Sequence, residues 1–166
     1  LNTSVGAVKS ALHRGRGRLE EAAIMEQPAR MPSRETVERF MAALGGRDVA
    51  AMKELCLENL KVELVGGAEM EGFEKSRSFF EHAHMVLPAL GFGENPNWRL
   101  ADYLGEPVVL GFRTLDGKEG LNEIHRIEEE DGRIARIRCY CFAPDTLRAV
   151  AADLGLPALD RAYRSP

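Results

Sequence analysis

Between residues 33 and 55 the hydrophobic pattern has a helical period. Ser33, a typical N-cap residue, precedes four apolar residues spaced at i, i+3, i+4 and i+7. These residues are Val37, Phe40, Met41 and Leu44. Gly45-Gly46 then ends the pattern, and Asp48 precedes a second set of apolar residues. The pattern predicts two helices that form a hairpin.

The period then changes from helical to alternating. After a strand over 60–64, closed by Gly66-Gly67, and a third helix over about 73–87, four alternating apolar segments follow. They span 98–104, 107–115, 119–129 and 133–142. Asp-Gly pairs at 116–117 and 131–132 favour tight hairpin turns with positive φ at both positions. A last helix, capped by Asp145, follows the strands.

This order predicts an α+β domain with helices on one face of a curved antiparallel sheet, whose concave side forms a pocket. It resembles the nuclear-transport-factor-two-like, or SnoaL-like, cone fold over about residues 33–155. The resemblance depends on the helix with Phe40 and Met41, on Gly72-Phe73 opening the third helix, and on DGRIARIRCYCF at 131–142. It implies helices packed in the concave face and a homodimer formed through the open sheet. Many relatives perform acid–base chemistry on polycyclic substrates, or isomerisation.

Charge is distributed unevenly along the chain. The whole chain has 22 Lys and Arg against 26 Asp and Glu, yet the first 18 residues carry four basic side chains and no acidic one. The rest therefore holds 18 basic and 26 acidic residues. Such a split indicates two parts with different partners, and the first part is expected to contact a polyanion.

The basic segment TSVGAVKSALHRGRGRL, residues 3–19, resembles the end of region 4 in extracytoplasmic-function sigma factors. In those proteins a recognition helix ends in a valine-lysine-serine signature, matched here by Val8-Lys9-Ser10, and an arginine-rich turn follows it. Gly15 and Gly17 depart from the family pattern, in which alanine is commoner at these two positions. The resemblance implies contacts with DNA, to bases and then to phosphates. The base-proximal residues are Thr3, Ser4, Gly6 and Ala7, and the phosphate-proximal ones are Lys9, His13 and Arg14.

The two resemblances together divide the chain into four parts. Residues 1–22 are the end of region 4, an isolated N-terminal helix from the end of a helix-turn-helix. Residues 23–32 are a linker, 33–155 are the SnoaL-like domain, and 156–166 are a tail. They imply a C-terminal regulatory or ligand-binding domain of a cytoplasmic sigma factor that acts in transcription initiation. Its partners would be the RNA polymerase core and promoter DNA, through a longer protein, and a small apolar ligand in the cone. The alternative is a cyclase or isomerase that uses a pocket carboxylate or histidine.

Eight residues are candidates for the pocket: Phe40, Trp98, Tyr103, Phe112, Glu123, His125, Arg138 and Tyr140. Glu123 and His125 share one strand face at a spacing of two, and Arg113 or Arg138 on neighbouring strands could pair with Glu123. No recognisable catalytic triad or dyad is formed, so no catalytic residue is assigned. An outer-face polar pair, a ligand contact and catalysis all remain open for Glu123 and His125.

The three cysteines, Cys56, Cys139 and Cys141, form no disulfide framework, which fits a reducing compartment. Cys139 and Cys141 are two apart on a predicted strand and share a face. Two thiolates are half of a zinc site, and no second Cys or His pair has ligand spacing. The sequence therefore predicts neither a metal site nor a cofactor. No apolar run reaches the length of a membrane span.

Overall fold

The computed structural model describes residues 30–89 and 96–159, without the side chains of 82–89. This part of the chain contains four helices and six strands. The helices are α1 (Arg34–Gly46), α2 (Val49–Leu55), α3 (Phe73–Ala89) and α4 (Pro144–Asp153). The strands are β1 (Cys56–Leu64), β2 (Ala68–Glu71), β3 (Asn97–Tyr103), β4 (Glu106–Leu115), β5 (Lys118–Glu130) and β6 (Arg133–Cys139). The predicted region 4 residues, Thr3, Ser4, Lys9, His13 and Arg14, lie outside the described residues.

The helical hairpin begins where the sequence predicts it. Ser33 caps α1, and its hydroxyl accepts a hydrogen bond from the Thr36 backbone N–H at 3.1 Å. Asp48 caps α2 in the same way through the Ala51 N–H at 2.9 Å. Because these side chains satisfy backbone donors that have no partner inside the helix, both predicted starts are confirmed.

The six strands form one curved sheet in the order β2-β1-β6-β5-β4-β3. Neighbouring strands are antiparallel, except that β1 runs parallel to β6. The sequence analysis missed β2, a short strand with a weak apolar pattern that β1 stabilises by pairing. The two Asp-Gly turns are confirmed, with φ of 52° and 76° at 116–117 and of 50° and 75° at 131–132.

Both faces of β4 and β5 are buried, and a different set of helices covers each. Val109 belongs to the core beneath α1, α2 and α3, which we call the inner face. Its neighbour Leu110 belongs to the core beneath α4, which we call the outer face. The sequence analysis placed all helices on one face, which is wrong for α4. The consecutive apolar residues at 108–110 are typical of a strand buried on both sides.

The last helix also starts differently from the prediction. It begins at Pro144, with Ala143 in the cap position and no side-chain cap, while Asp145 lies in the first turn. Proline at the first helical position needs no hydrogen-bond acceptor for its nitrogen, which explains this start.

Segments beyond 33–155 pack against β5. The Glu129 N–H donates to the Arg30 carbonyl at 3.4 Å, and Arg30 forms an ion pair with Glu130. At the other end of β5, the Leu121 N–H donates to the Pro157 carbonyl at 2.7 Å, and the Leu159 N–H donates to the Leu121 carbonyl at 3.1 Å. Both ends of the described chain, Arg30 and residues 157–159, are thus hydrogen-bonded to β5. No helix within 30–89 or 96–159 is long and apolar enough to cross a membrane.

Replacing Gly120 by alanine should destabilise the domain by about 1–3 kcal/mol, because overpacked sites rarely relax fully. A Cβ at Gly120 would lie 2.8 Å from backbone atoms of Ala158 and Leu159, which cannot rotate away. The measurement is the free energy of unfolding in urea. Gly46→Ala in α1 is the matched control, since nothing lies within 4 Å of its Cβ, and it should be neutral or slightly stabilising. Equal stability of the Gly120 variant and the control would contradict the docking of 157–159.

Candidate functional site

A buried cluster of polar side chains lies on the inner face of β4, β5 and β6. It consists of Arg113, Glu123, His125 and Cys139, which are 2%, 6%, 1% and 0% exposed. Glu123 and His125 come from alternate positions of β5, and His125 is paired in register with Cys139 of β6. Charged groups at this depth are stable only when they are paired, so the partners define what the cluster can do.

A β-bulge brings Arg113 and Glu123 to the same face. The β4–β5 register shifts between Gly111, which is opposite Glu123, and Phe112, which is opposite Leu121. Leu121 therefore belongs to the outer core although it is only two residues from Glu123. The Nε and Nη2 atoms of Arg113 both donate to Glu123 Oε1 at 3.1 Å. One oxygen of the carboxylate is thus held by a guanidinium, and the other is left for His125.

The imidazole of His125 connects the carboxylate to the thiol. Its Nε2 lies 3.4 Å from Glu123 Oε2 and 4.0 Å from Cys139 Sγ. Its Nδ1 is buried without a hydrogen-bond partner among the described residues. A neutral imidazole that donates through Nε2 has its lone pair on Nδ1, so this atom is the free acceptor of the cluster.

The environment fixes the charge of the two groups beside His125. Burial would raise the pKa of Glu123, but the hydrogen bond from His125 and the charges of His125 and Arg113 outweigh it and hold that pKa below its ordinary value. A hydrogen bond with Cys141, together with burial, raises the pKa of the Cys139 thiol well above its usual value. Glu123 is therefore a carboxylate and Cys139 a protonated thiol at neutral pH.

Two aromatic side chains enclose His125. The Phe40 ring of α1 lies 5.8 Å from the imidazole between centroids, and the Trp98 ring of β3 lies 5.3 Å from it, edge-on. Gly111 makes room for the indole, since a Cβ there would lie 2.6 Å from Trp98 Cζ3. Trp98 is only half-buried and stands on β3, the last strand of the sheet order.

The structure brings four of the eight predicted pocket residues together and places the others elsewhere. Phe40, Trp98, Glu123 and His125 meet on the inner face. Tyr103, Phe112 and Tyr140 belong to the outer core. Arg138 forms an ion pair with Glu63 at 3.2 Å, so Arg113 is the arginine that pairs with Glu123. The separation follows from strand alternation, because Tyr140 directly follows Cys139 and Phe112 directly follows Gly111.

The outer face holds polar groups of its own beneath α4. Glu106 and Arg126 form a buried ion pair, and the Tyr103 hydroxyl donates to Asp153 Oδ2 at 2.9 Å. Burial, then the hydrogen bond with Asp153, raises the pKa of Tyr103 to about 12. These contacts attach α4 to the sheet and reach none of the inner cluster.

Two depressions in the described part of the chain lie away from the cluster. One is a water-sized crevice of about 10 Å³ between the first three helices. The other is an open groove of about 240 Å³, lined by Arg30, Leu57, Asn59, Lys61, Glu128, Glu130, Ala135 and Arg136. The cluster itself is closed, so a molecule that reaches His125 must displace a packed side chain.

Cys139 is the member of the cluster that the sequence analysis did not connect with Glu123 and His125. The short distance between Cys139 and His125 depends on the register between β5 and β6, which no local spacing reveals. The sequence carries only a weak indication that Cys139 and His125 are close. Each residue shares its strand face with apolar residues of an alternating segment, and an Asp-Gly turn at 131–132 joins the two segments.

Comparison with known proteins identifies the fold. No family model matches the chain, and no curated protein matches it. An NTF2-like protein of unknown function from Burkholderia pseudomallei has a TM-score of 0.50 at 16% identity, covering 70% of this chain and 95% of its own. An NTF-2 like protein of unknown function from Burkholderia xenovorans has a TM-score of 0.48 at 12% identity, covering 80% of this chain and 86% of its own. A candidate ketosteroid isomerase from Kribbella flavida has a TM-score of 0.47 at 17% identity, covering 80% of this chain and 81% of its own. The described residues have the NTF2-like cone fold, as the sequence predicts.

Breaking the buried ion pair should be strongly destabilising. Arg113→Met or Glu123→Gln alone leaves one buried polar partner without its counterpart, and each should lower the free energy of unfolding by about 3–5 kcal/mol. The double variant should lose less than the sum of the two. The measurement is urea denaturation of all three variants.

The matched control for this cycle is Arg77→Met on α3. Arg77 pairs with Glu81 at 2.6 Å, but the two side chains are 52% and 35% exposed. Solvent screens such pairs, so the control should change stability by no more than about 1 kcal/mol. Additive losses for Arg113 and Glu123 would show that the two side chains are not coupled.

Proposed function

We propose that the domain binds a small, mostly apolar molecule on its inner face, and that His125 is the polar group that anchors it. The observation that carries this proposal is the Nδ1 atom of His125, buried without a partner among the described residues. A buried polar atom without a hydrogen bond costs about 1–3 kcal/mol. A hydroxyl group of a ligand, donating to Nδ1, would remove that cost.

The surroundings of His125 define the kind of molecule. Phe40 and Trp98 flank the imidazole, and the core that they belong to is otherwise aliphatic and aromatic. Sites of this composition bind ligands mainly by apolar contact, and a few polar groups set the orientation. A cyclic hydrocarbon skeleton with one oxygen function matches this description.

Trp98 is the side chain that would admit the ligand. His125 is 1% exposed, whereas Trp98 is half-buried on the edge strand β3. An edge strand is held by one neighbour only, and here that neighbour is β4. Rotation of the indole away from Gly111 would therefore open the way to Nδ1 with little change in the rest of the sheet.

The position of β5 supports a regulatory use of such binding. The strand carries Glu123 and His125 near its middle, and at its end Glu129 and Glu130 hold the backbone and side chain of Arg30. Arg30 directly follows the segment that includes the basic residues 1–18, which resemble the end of sigma region 4. Through β5, occupancy of the inner face would influence how that segment contacts promoter DNA and RNA polymerase.

A second candidate function is acid–base catalysis of the isomerase or cyclase type. The observation that favours it is the carboxylate of Glu123 beside Nε2 of His125, which orients the ring and leaves Nδ1 as the proton acceptor. Such a base can take a proton from the carbon next to a carbonyl group and return it elsewhere on the same skeleton. In this case the bound molecule would be a cyclic ketone.

Calorimetric titration with naphthol tests the binding proposal, because naphthol is a bicyclic hydrocarbon with one hydroxyl group. We expect His125→Phe to weaken naphthol binding about tenfold, the worth of one buried hydrogen bond. Naphthalene, which lacks the hydroxyl, should bind both proteins equally, and Tyr140→Phe on the outer face should bind naphthol as the wild type does. Equal naphthol affinity of wild type and His125→Phe would refute the anchoring role. Turnover of a β,γ-unsaturated cyclic ketone, lost in His125→Phe, would favour the catalytic candidate instead.

The proposed contact with DNA is tested by fluorescence anisotropy with a labelled duplex at several salt concentrations. The chain should bind weakly, and its logarithmic salt slope should fall by about one for each of Lys9→Ala and Arg14→Ala, since each removes one phosphate contact. Lys75→Ala, at an exposed position of α3, is the control and should leave the slope unchanged. A slope that is the same in all four proteins would refute the assignment of residues 3–19.

A further inference from the structure

A carboxylate, an imidazole and a thiol meet at one point of the inner face. Glu123, His125 and Cys139 each offer one ligand atom, and these atoms all lie within 4.8 Å of one another. All three residues are buried. Three different metal-ligating side chains on two neighbouring strands are a constellation that a structural core does not require.

We propose that Glu123 Oε2, His125 Nε2 and Cys139 Sγ bind a divalent metal ion of the zinc type. Zinc–nitrogen and zinc–oxygen bonds are about 2.0–2.2 Å long, so two such ligands of a tetrahedral ion are about 3.4 Å apart. The observed separation of Nε2 and Oε2 is 3.4 Å. These two atoms already have the spacing of ligands.

The thiol needs a small adjustment. A zinc–sulfur bond of about 2.3 Å places sulfur about 3.6 Å from a nitrogen ligand, and Sγ of Cys139 lies 4.0 Å from Nε2. The longest of the three separations, no more than 4.8 Å, must shorten by about 1 Å. A rotation of the Cys139 side chain supplies a movement of this size without a shift of β6.

Ligand chemistry selects the ion. Thiolate and imidazole favour zinc and cobalt over magnesium and calcium, which prefer oxygen ligands throughout. Arg113 contributes outside the ligand sphere, because it holds Oε1 of Glu123 and so directs Oε2 toward His125. Such outer contacts orient a carboxylate for metal binding.

The charges are also compatible with a divalent ion. A carboxylate and a thiolate carry two negative charges, and the adjacent guanidinium carries one positive charge. With the metal the group has a net charge of +1, which a second thiolate would cancel. Cys141 is buried, packs beside Cys139 and forms a hydrogen bond with it, so it is the nearest candidate for the fourth ligand.

This inference does not depend on the proposed function. A metal on Nε2 leaves the ring proton on Nδ1, where it can be donated to a ligand carbonyl group. The same ring cannot then act as a base, because its lone pair is used by the metal. Metal loading should therefore be compatible with ligand anchoring and should exclude the catalytic candidate.

The experiment is a titration of the full chain with cobalt(II) after chelator treatment under reducing conditions, followed by absorption spectroscopy. We expect one cobalt per chain, the intense visible bands of a tetrahedral site, and a thiolate-to-cobalt charge-transfer band. Zinc should displace the cobalt. Cys139→Ser should weaken the charge-transfer band, to which only Cys141 would then contribute, and lower the affinity by about 100-fold or more, whereas Cys56→Ser, at a buried cysteine outside the cluster, should change neither.

A second readout needs no variant. Trp98 is the single tryptophan of the chain and lies 5.3 Å from His125 between ring centroids, so cobalt in the site should quench its fluorescence. Saturable quenching that zinc reverses supports the site even where Cys139→Ser fails to fold. A wild-type spectrum without a charge-transfer band overturns the proposal. A band of unchanged intensity in Cys139→Ser, or one weakened equally in Cys56→Ser, overturns it as well.

Discussion

The β-bulge between β4 and β5 determines which side chains meet on the inner face. Gly111 faces Glu123 and Phe112 faces Leu121, so one extra residue of β5 is accommodated between the two pairs. In a regular strand, Leu121 and Glu123 would share a face. The bulge instead places Leu121 in the outer core and Glu123 beside Arg113, and the position of His125 follows from that of Glu123 because the two residues alternate correctly beyond the bulge.

The ion pair beside the bulge makes the cluster possible. A buried carboxylate without a partner would take up a proton, and the hydrogen bond that orients His125 would then lose the strength that the negative charge gives it. Arg113 donates twice to Oε1 of Glu123, and Oε2 of the same carboxylate lies 3.4 Å from His125 Nε2. The two nitrogens of His125 also differ: Nε2 lies near Glu123 and Cys139, and Nδ1 is buried without a hydrogen-bond partner among the described residues. The two proposals therefore involve different nitrogens: ligand anchoring would use Nδ1 and metal binding would use Nε2.

Local signals in the sequence account for most of the fold. Ser33 and Asp48 as caps and the two Asp-Gly turns act within a few residues, so their effects can be read directly from the chain. The site depends on long-range register. Phe112 and Tyr140 were assigned to the pocket because they are aromatic residues on the correct strands, but the bulge and the strand alternation place both on the outer face. For Cys139 the sequence predicts no metal site, because no second Cys or His pair has ligand spacing, and only the pairing of β5 with β6 brings His125 and Glu123 close to it.

One strand contacts the core cluster and both terminal segments of the described chain. β5 pairs with β4 and β6 along most of its length, contacts residues 157–159 near its start, and holds Arg30 at its end. A closely packed strand moves as a unit, since its ladder hydrogen bonds and its two cores resist local bending. A change in the packing around His125 can therefore reach Arg30 only as a displacement of β5 against its neighbours. The ion pair of Arg30 with Glu130, which is exposed on both sides, is the weakest contact on that route and the first that such a displacement would alter.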